Sequence, residues 1–191
     1  MKLALSWSIV LACLGLSQPA LAEYPDRPVK IVIGFAPGSG PDVIGRAISA
    51  QLFNDLGQSF VVQNLAGANG TIAIKNVISS APDGYTLLYS SSSIAPTPYL
   101  YKNPNFDVEK DLAPIATSGI LDGNLVLVQP SFPASNMREF IDYAKANRLF
   151  YGSPGHGNGL HLATELFAER AGLHMDHVPF RGASEVTTAL L

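Results

Sequence analysis

Three times in this chain a short apolar run ends in a glycine-rich turn and gives way to a helical pattern. Val29-Lys30-Ile31-Val32-Ile33-Gly34 leads into Phe35-Ala36-Pro37-Gly38-Ser39-Gly40-Pro41-Asp42. Phe60–Gln63 leads into Asn64-Leu65-Ala66-Gly67-Ala68-Asn69-Gly70, and Phe150–Ser153 into Pro154-Gly155-His156-Gly157-Asn158-Gly159. Strand passing to helix, repeated, predicts an α/β fold of parallel β-α-β units with right-handed crossovers. The same pattern predicts where a ligand would collect. First-turn N–H groups lack intrahelical partners and the helix dipole is positive there, so such turns attract anions. The first turn is read as holding one carboxylate of a small organic acid.

The remaining elements follow from periodicity. Val29–Phe35, Phe60–Gln63, Tyr85–Tyr89, Ala113–Ile120, Leu125–Val128, Phe150–Ser153 and His177–Phe180 read as strands. Asp42–Leu56 reads as a helix with an inward stripe of Val43, Ile44, Ala47, Ile48, Leu52 and Leu56. Asp42 is expected to be its N-cap and Gly57 its C′ residue. Further helices are predicted at Thr71–Ser80, near Pro98–Tyr101, from a Ser135 cap through Ala146, at Leu160–Ala171 before Gly172, and from Ser184. Leu121-Asp122-Gly123-Asn124 is polar and reads as a hinge. It divides a first domain, 23–121, from a second, 125–191. The chain reaches Leu190-Leu191 inside an uncapped helical pattern, which reads as an N-terminal fragment of a longer protein.

Residues 1–22 read as a secretory signal. Lys2 supplies the basic start, Leu3–Leu16 the apolar run, and Ala20-Leu21-Ala22 the cleavage site. The run is shorter than the ~20 residues a membrane-spanning helix needs. Cleavage removes Cys13, the only cysteine, so the mature protein has no disulfide or thiol chemistry. A lipoprotein anchored at Cys13 is the alternative, although Leu11 fits a lipobox poorly. Cleavage also makes the chain one unit more negative than its formal −3. No basic patch or tail is present, which argues against a nucleic-acid partner. An exported, cysteine-free, mildly acidic protein fits a periplasm.

Several chemistries are weighed against these residues. A dinucleotide fingerprint needs glycine where Val43 stands, and no P-loop lysine follows. Gly155–Leu160 fails the same test. Ser39 and Ser153 sit at strand-to-helix turns, but a nucleophile elbow needs glycine where Pro37 and Tyr151 stand. A hydrolase using Ser153 and His161 therefore remains only a rival reading. His161 and Glu165 are spaced to share a metal, yet no HExxH pattern accompanies them, and no metal site is assigned. Anion binding by backbone donors fits better, with the turns Phe35–Val43 and Ser153–His161 on opposite sides of the hinge. Glycine-rich turns are also routine in α/β proteins, so the turns alone leave plain tight turning equally open.

The ordered set Tyr24-Pro25-Asp26-Arg27-Pro28-Val29, Phe35–Asp42, Gln63–Gly70, Ala81-Pro82-Asp83-Gly84-Tyr85-Thr86-Leu87-Leu88, Tyr143–Asn147, His161–Phe167 and His177-Val178-Pro179-Phe180-Arg181-Gly182 resembles the tripartite tricarboxylate transporter receptors. These are the Bug-type extracytoplasmic solute-binding proteins. The resemblance covers essentially all of the chain after residue 22. It implies a two-domain, type II periplasmic-binding-protein fold that takes a small carboxylate and delivers it to membrane permease subunits. It implies that the Gly38–Asp42 backbone grips one carboxylate, often through waters, that the serines after Tyr89 line the cleft, and that the turn before His161 supplies the second domain's donors. Ser39 departs from a usual glycine, Leu65-Ala66 from a usual Arg-Pro, and Asn158-Gly159-Leu160 from usual small hydroxylic residues.

The resulting expectation is a periplasmic receptor that is not an enzyme, uses no cofactor and acts as a monomer. Its ligand contacts are expected at Gly38, Ser39, Gly40 and Asp42, at Ser91 and Ser92, and at Gly155, Gly157, Asn158 and His161. Asp42 is expected to act more as a helix cap than as a contact, since a bare carboxylate repels an anion. A ligand-loaded sensor for a membrane signalling partner is the alternative role.

Overall fold

The computed structural model describes residues 23–101, 104–120 and 123–191. The expected signal segment and Cys13 lie outside these residues, as do Leu121 and Asp122 of the expected hinge. Among the described residues no helix is long and apolar enough to cross a membrane.

Strand β1 (Val29–Ile33) lies between β2 (Phe60–Asn64) and β3 (Thr86–Tyr89) in a three-stranded parallel sheet of order β2-β1-β3. The register pairs Ile31 with Val62 on one side and with Leu87 on the other. A central parallel strand is covered on both faces, which its nearly unbroken apolar sequence allows. Val29, Ile31, Ile33 and Phe60 form a buried cluster with Leu52, Val62, Tyr85, Leu87 and Tyr89 against it. Helix α1 (Gly40–Leu56) follows β1, and α2 (Thr71–Ile78) follows β2. Two short helices, α3 (Thr97–Leu100) and α4 (Val108–Asp111), come after β3, the second not foreseen from sequence.

A second parallel pair joins β4 (Leu149–Ser153) to β5 (Met175–Pro179), with Tyr151 opposite His177 and Ser153 opposite Pro179. Helix α5 (Met137–Ala146) precedes β4, α6 (Gly159–Ala171) connects the two strands, and α7 (Ala183–Leu190) follows β5. Ala144, Ala168 and Leu173 are buried together, with Phe140, Leu149, Phe167 and Met175 packed around them. The fold is thus alternating strand and helix with parallel sheets, as the turn pattern predicts.

Four expectations need correction. Helix α1 is capped at Ser39, and Asp42 lies inside its first turn. The inward face of α1 runs through Asp42, Gly45 and Leu52, while Val43 and Ile44 are 61% and 46% exposed. Gly45 causes this rotation: a Cβ there would lie 2.6 Å from Ile33 Cδ1, so the helix touches the sheet where it has no side chain. Residues 113–120 and 125–128 form no strand among the described residues. Alternating apolar residues become strand only where a neighbour supplies a ladder of hydrogen bonds, and Ile115, Ile120 and Leu125 instead face outward. Lastly, α5 is capped by Asn136 and not Ser135. Asn136 Oδ1 accepts from Glu139 N, and the Glu139 carboxylate accepts from Ser135 N in return.

Candidate functional site

The first turn starts where β1 ends. Gly38 takes φ +79°, a conformation that costs other residues a Cβ–carbonyl clash, and turns the chain so that Ser39 precedes α1. Ser39 is 6% exposed, and its Oγ is buried without a hydrogen-bond partner. Its carbonyl accepts from Val43 N at 3.0 Å. Pro41 has no N–H to offer. The N–H groups of Gly40 and Asp42 have no acceptor among the described residues. Two backbone donors and one hydroxyl therefore stand unpaired at the start of a 17-residue helix.

Asp42 lies beneath them, 3% exposed. Its carboxylate accepts from Gly38 N at 2.9 Å, from Arg46 Nε at 3.1 Å and from Asn64 Nδ2 at 2.8 Å. Asn64 also donates to the carbonyl of Phe35, and Arg46 Nη2 donates to Asn64 Oδ1. The Arg46 hydrogen bond, followed by those from Gly38 and Asn64, lowers the Asp42 pKa to about 2. The acid is thus saturated by the protein's own donors and ties the turn to α1 and the end of β2. Sequence reading missed Arg46 and Asn64, although Asp42 and Arg46 have the i,i+4 spacing of a helical ion pair.

The second turn is differently built. Asn158 caps α6 with its Oδ1 on Leu160 N at 3.0 Å. Gly157 N donates to His161 Nδ1 at 3.2 Å, Asn158 N to Gly155 O, and Gly155 N to Ser153 Oγ. Gly159 N donates to Ser93 Oγ at 3.1 Å. The expected donors of this turn are therefore largely paired within the protein.

The turn after β4 is joined to the segments after β2 and β3 through residues the sequence did not single out as contacts. Asn69, in a left-handed conformation at φ +52°, donates Nδ2 to Gly157 O at 2.9 Å. Ser93, not Ser91 or Ser92, is the buried serine after β3. Ser91 accepts from Ser93 N as a local cap, and Ser92 is exposed. A Cβ on Gly182 would lie 3.6 Å from Ala36 Cβ, so the turn after β5 also reaches the first turn.

Ser153 is 1% exposed, and its Oγ lies 2.6 Å from His177 Nε2. His177 is thus its hydrogen-bonded partner, where the hydrolase reading had named His161. The buried Oγ is also bonded to both the N–H and the carbonyl of Gly155. Burial lowers the pKa of His161 and His177, and neighbouring histidines reinforce the effect. Tyr151 OH donates to Glu165, and burial followed by that carboxylate raises the tyrosine pKa. An open groove of about 480 Å³ between α1 and β2, lined by Arg46, Phe53 and Phe60, shares no residue with either turn.

A family model described as "Tripartite tricarboxylate transporter family receptor" matches residues 44–191. The chain belongs to this family. Among its relatives is protein BugT of Bordetella pertussis, 36% identical over 189 residues, covering 96% of this chain and 57% of BugT. Two solved structures share the family receptor's architecture. The periplasmic binding protein BugD matches with TM-score 0.76 and 30% identity, over 87% of this chain and 56% of BugD. The R. palustris protein Rpa4515 with adipate matches with TM-score 0.78 and 31% identity, over 88% of this chain and 57% of Rpa4515. This family receptor chain therefore has a periplasmic-binding-protein fold and spans a little over half the length of these relatives.

Proposed function

We infer that this chain is part of an extracytoplasmic solute-binding receptor that captures a small carboxylate and delivers it to the permease subunits of a tripartite tricarboxylate-type transporter. The observation that carries this reading is the unpaired donor set at the start of α1: Ser39 Oγ and the N–H groups of Gly40 and Asp42. A carboxylate oxygen there gains charge-assisted hydrogen bonds and the favourable end of the helix dipole. Asp42 does not repel it, because Arg46, Gly38 and Asn64 already compensate that charge. Family membership and the adipate held by Rpa4515 support the ligand class.

Gly38 shapes this first jaw. The second jaw is Gly155, Gly157, Asn158 and His161, tied by hydrogen bonds to Asn69 and Ser93, and Ser91 and Ser92 are proposed as further contacts. Because most of its donors are already paired, this jaw positions the ligand through side chains and through rearrangement on closure. Residues 1–22 direct export, so the receptor works in the periplasm, and it is proposed to act there as a monomer. It performs no chemistry on its ligand: the buried Ser153 is a structural hydrogen-bonding residue and not a nucleophile.

The test is a thermal-shift and calorimetric screen of the intact protein against linear and branched dicarboxylates, tricarboxylates and acidic amino acids. At least one raises the melting temperature through linkage and is recovered unchanged. No shift across the panel, or chemical conversion of the ligand, overturns the reading.

A further inference from the structure

Away from the donors at the start of α1, the turn after β4 gathers three histidines from separate parts of the chain. His156 lies on the turn, His161 in the first part of α6, and His177 on β5. Each offers a ring nitrogen, and the three nitrogens lie within 4.8 Å of one another. The His161 and His177 ring centroids are 4.1 Å apart, and those of His156 and His177 are 4.7 Å apart.

Ser153 holds His177 through one ring nitrogen. Ser153 Oγ lies 2.6 Å from His177 Nε2 and also contacts Gly155 O at 3.2 Å and Gly155 N at 3.3 Å. With Nε2 held by the serine, Nδ1 is the nitrogen left to meet a metal, and the tautomer with its proton on Nε2 offers the Nδ1 lone pair. That Nδ1 is buried and has no hydrogen-bond partner. An unsatisfied buried polar nitrogen is costly, and a histidine held through its other nitrogen by an outer partner is how metal-ligating imidazoles are oriented.

We propose that His156, His161 and His177 form a three-histidine site for a divalent transition-metal ion of the zinc class. Imidazole nitrogens suit zinc, nickel, copper and cobalt, and three protein nitrogens leave a further position open. Tetrahedral coordination with metal–nitrogen bonds of about 2.1 Å places nitrogens about 3.4 Å apart, so the rings must draw in from separations of up to 4.8 Å. His156 is exposed on a turn between Gly155 and Gly157, both at positive φ, and is the ligand free to move. His161 exchanges its 3.2 Å contact from Gly157 N–H for the ion, since coordination ends that bond whichever nitrogen takes part. Glu165 Oε1, 3.9 Å from His161 Nε2, stands beside the site.

The site shares His161 with the proposed second jaw, but its test needs no organic ligand. The intact, tag-free protein is dialysed against Zn²⁺ and, separately, Co²⁺. The expected results are one ion per chain and the intense visible absorption of low-coordinate Co²⁺. His156→Asn, at an exposed position that leaves the fold in place, weakens binding by about tenfold or more, as does His161→Asn. His174→Asn, at an exposed histidine outside the cluster, leaves binding unchanged. Failure of the parent protein to bind stoichiometrically overturns the proposal. So does unchanged affinity in both His156→Asn and His161→Asn, or a loss in His174→Asn equal to theirs.

Discussion

Asn69 Nδ2 donates to the carbonyl of Gly157 at 2.9 Å, so one side chain links the turn after β2 to the turn after β4. The residue sits at φ +52°, a conformation that asparagine and glycine adopt at lower cost than alanine. Asn69→Gly keeps the backbone and deletes the bond, whereas Asn69→Ala adds strain. Asn69→Gly is expected to cost about 1 kcal/mol of stability or less, and to weaken carboxylate binding several-fold by loosening the joined state. Denaturant titration and calorimetry separate the two effects. Unchanged affinity would remove this bond from the binding mechanism.

The Asp42 carboxylate has a pH signature. Its pKa is lowered from 3.8 to about 2 in the folded protein. A depressed folded pKa gives stability that is fully present above the unfolded value and is lost as pH falls through the folded value. Asp42 therefore contributes about 2 kcal/mol at neutral pH, declining between about pH 4 and pH 2. Asp42→Asn is expected to lower neutral-pH stability by about 2 kcal/mol and to flatten stability over that acid window. Urea unfolding at several pH values measures both, and a variant with the parent's acid dependence contradicts the assignment.

Strand followed by glycine turn and helix was legible because it rests on local periodicity and backbone freedom. Gly57 and Gly172 end α1 and α6 in the left-handed conformation, as their positions predict. The inward face of α1 was not legible. Apolar spacing favoured Val43 and Ile44, but Asp42 is drawn in by Asn64, a residue 22 positions away, and Gly45 permits the close approach. Ser93 was passed over for Ser91 and Ser92 because four consecutive serines carry no signal about which one points inward. The Ser153–His177 pair depends on the parallel register of β4 with β5. Such pairings join residues distant in sequence, and no periodicity within either segment encodes them. The apolar runs 113–120 and 125–128 erred the other way: their composition favours strand, but strand also requires a partner.

The glycines separate into those that serve packing and those that serve the turn. A Cβ on Gly34 would lie 2.7 Å from the backbone Cα of Gly70, whereas one on Gly40 would meet nothing within 4 Å. Gly34→Ala must push two backbones apart and is expected to cost about 2 kcal/mol or more. Gly40→Ala is expected to change stability by about 0.5 kcal/mol or less, since Gly40 is the first residue of α1 and helical backbone accepts alanine. Thermal unfolding of the two variants side by side decides this. Equal losses would show that the turn after β1 is held by contacts other than those between Gly34 and α2.

Ser39 offers the sharpest separation of folding from binding. Its hydroxyl is buried and without a partner, so in the free protein it lowers stability, and its removal restores no lost bond. Ser39→Ala keeps the cap backbone, where no side-chain hydrogen bond is made. The variant is therefore expected to be as stable as the parent, or up to about 1 kcal/mol more stable. Carboxylate affinity should fall about tenfold to a hundredfold, because a hydrogen bond to a charged group is worth about 1.5–3 kcal/mol. Paired measurement of melting temperature and dissociation constant tests the contrast. A stability loss above about 1 kcal/mol would make Ser39 a structural cap, and unchanged affinity would move the carboxylate away from the start of α1.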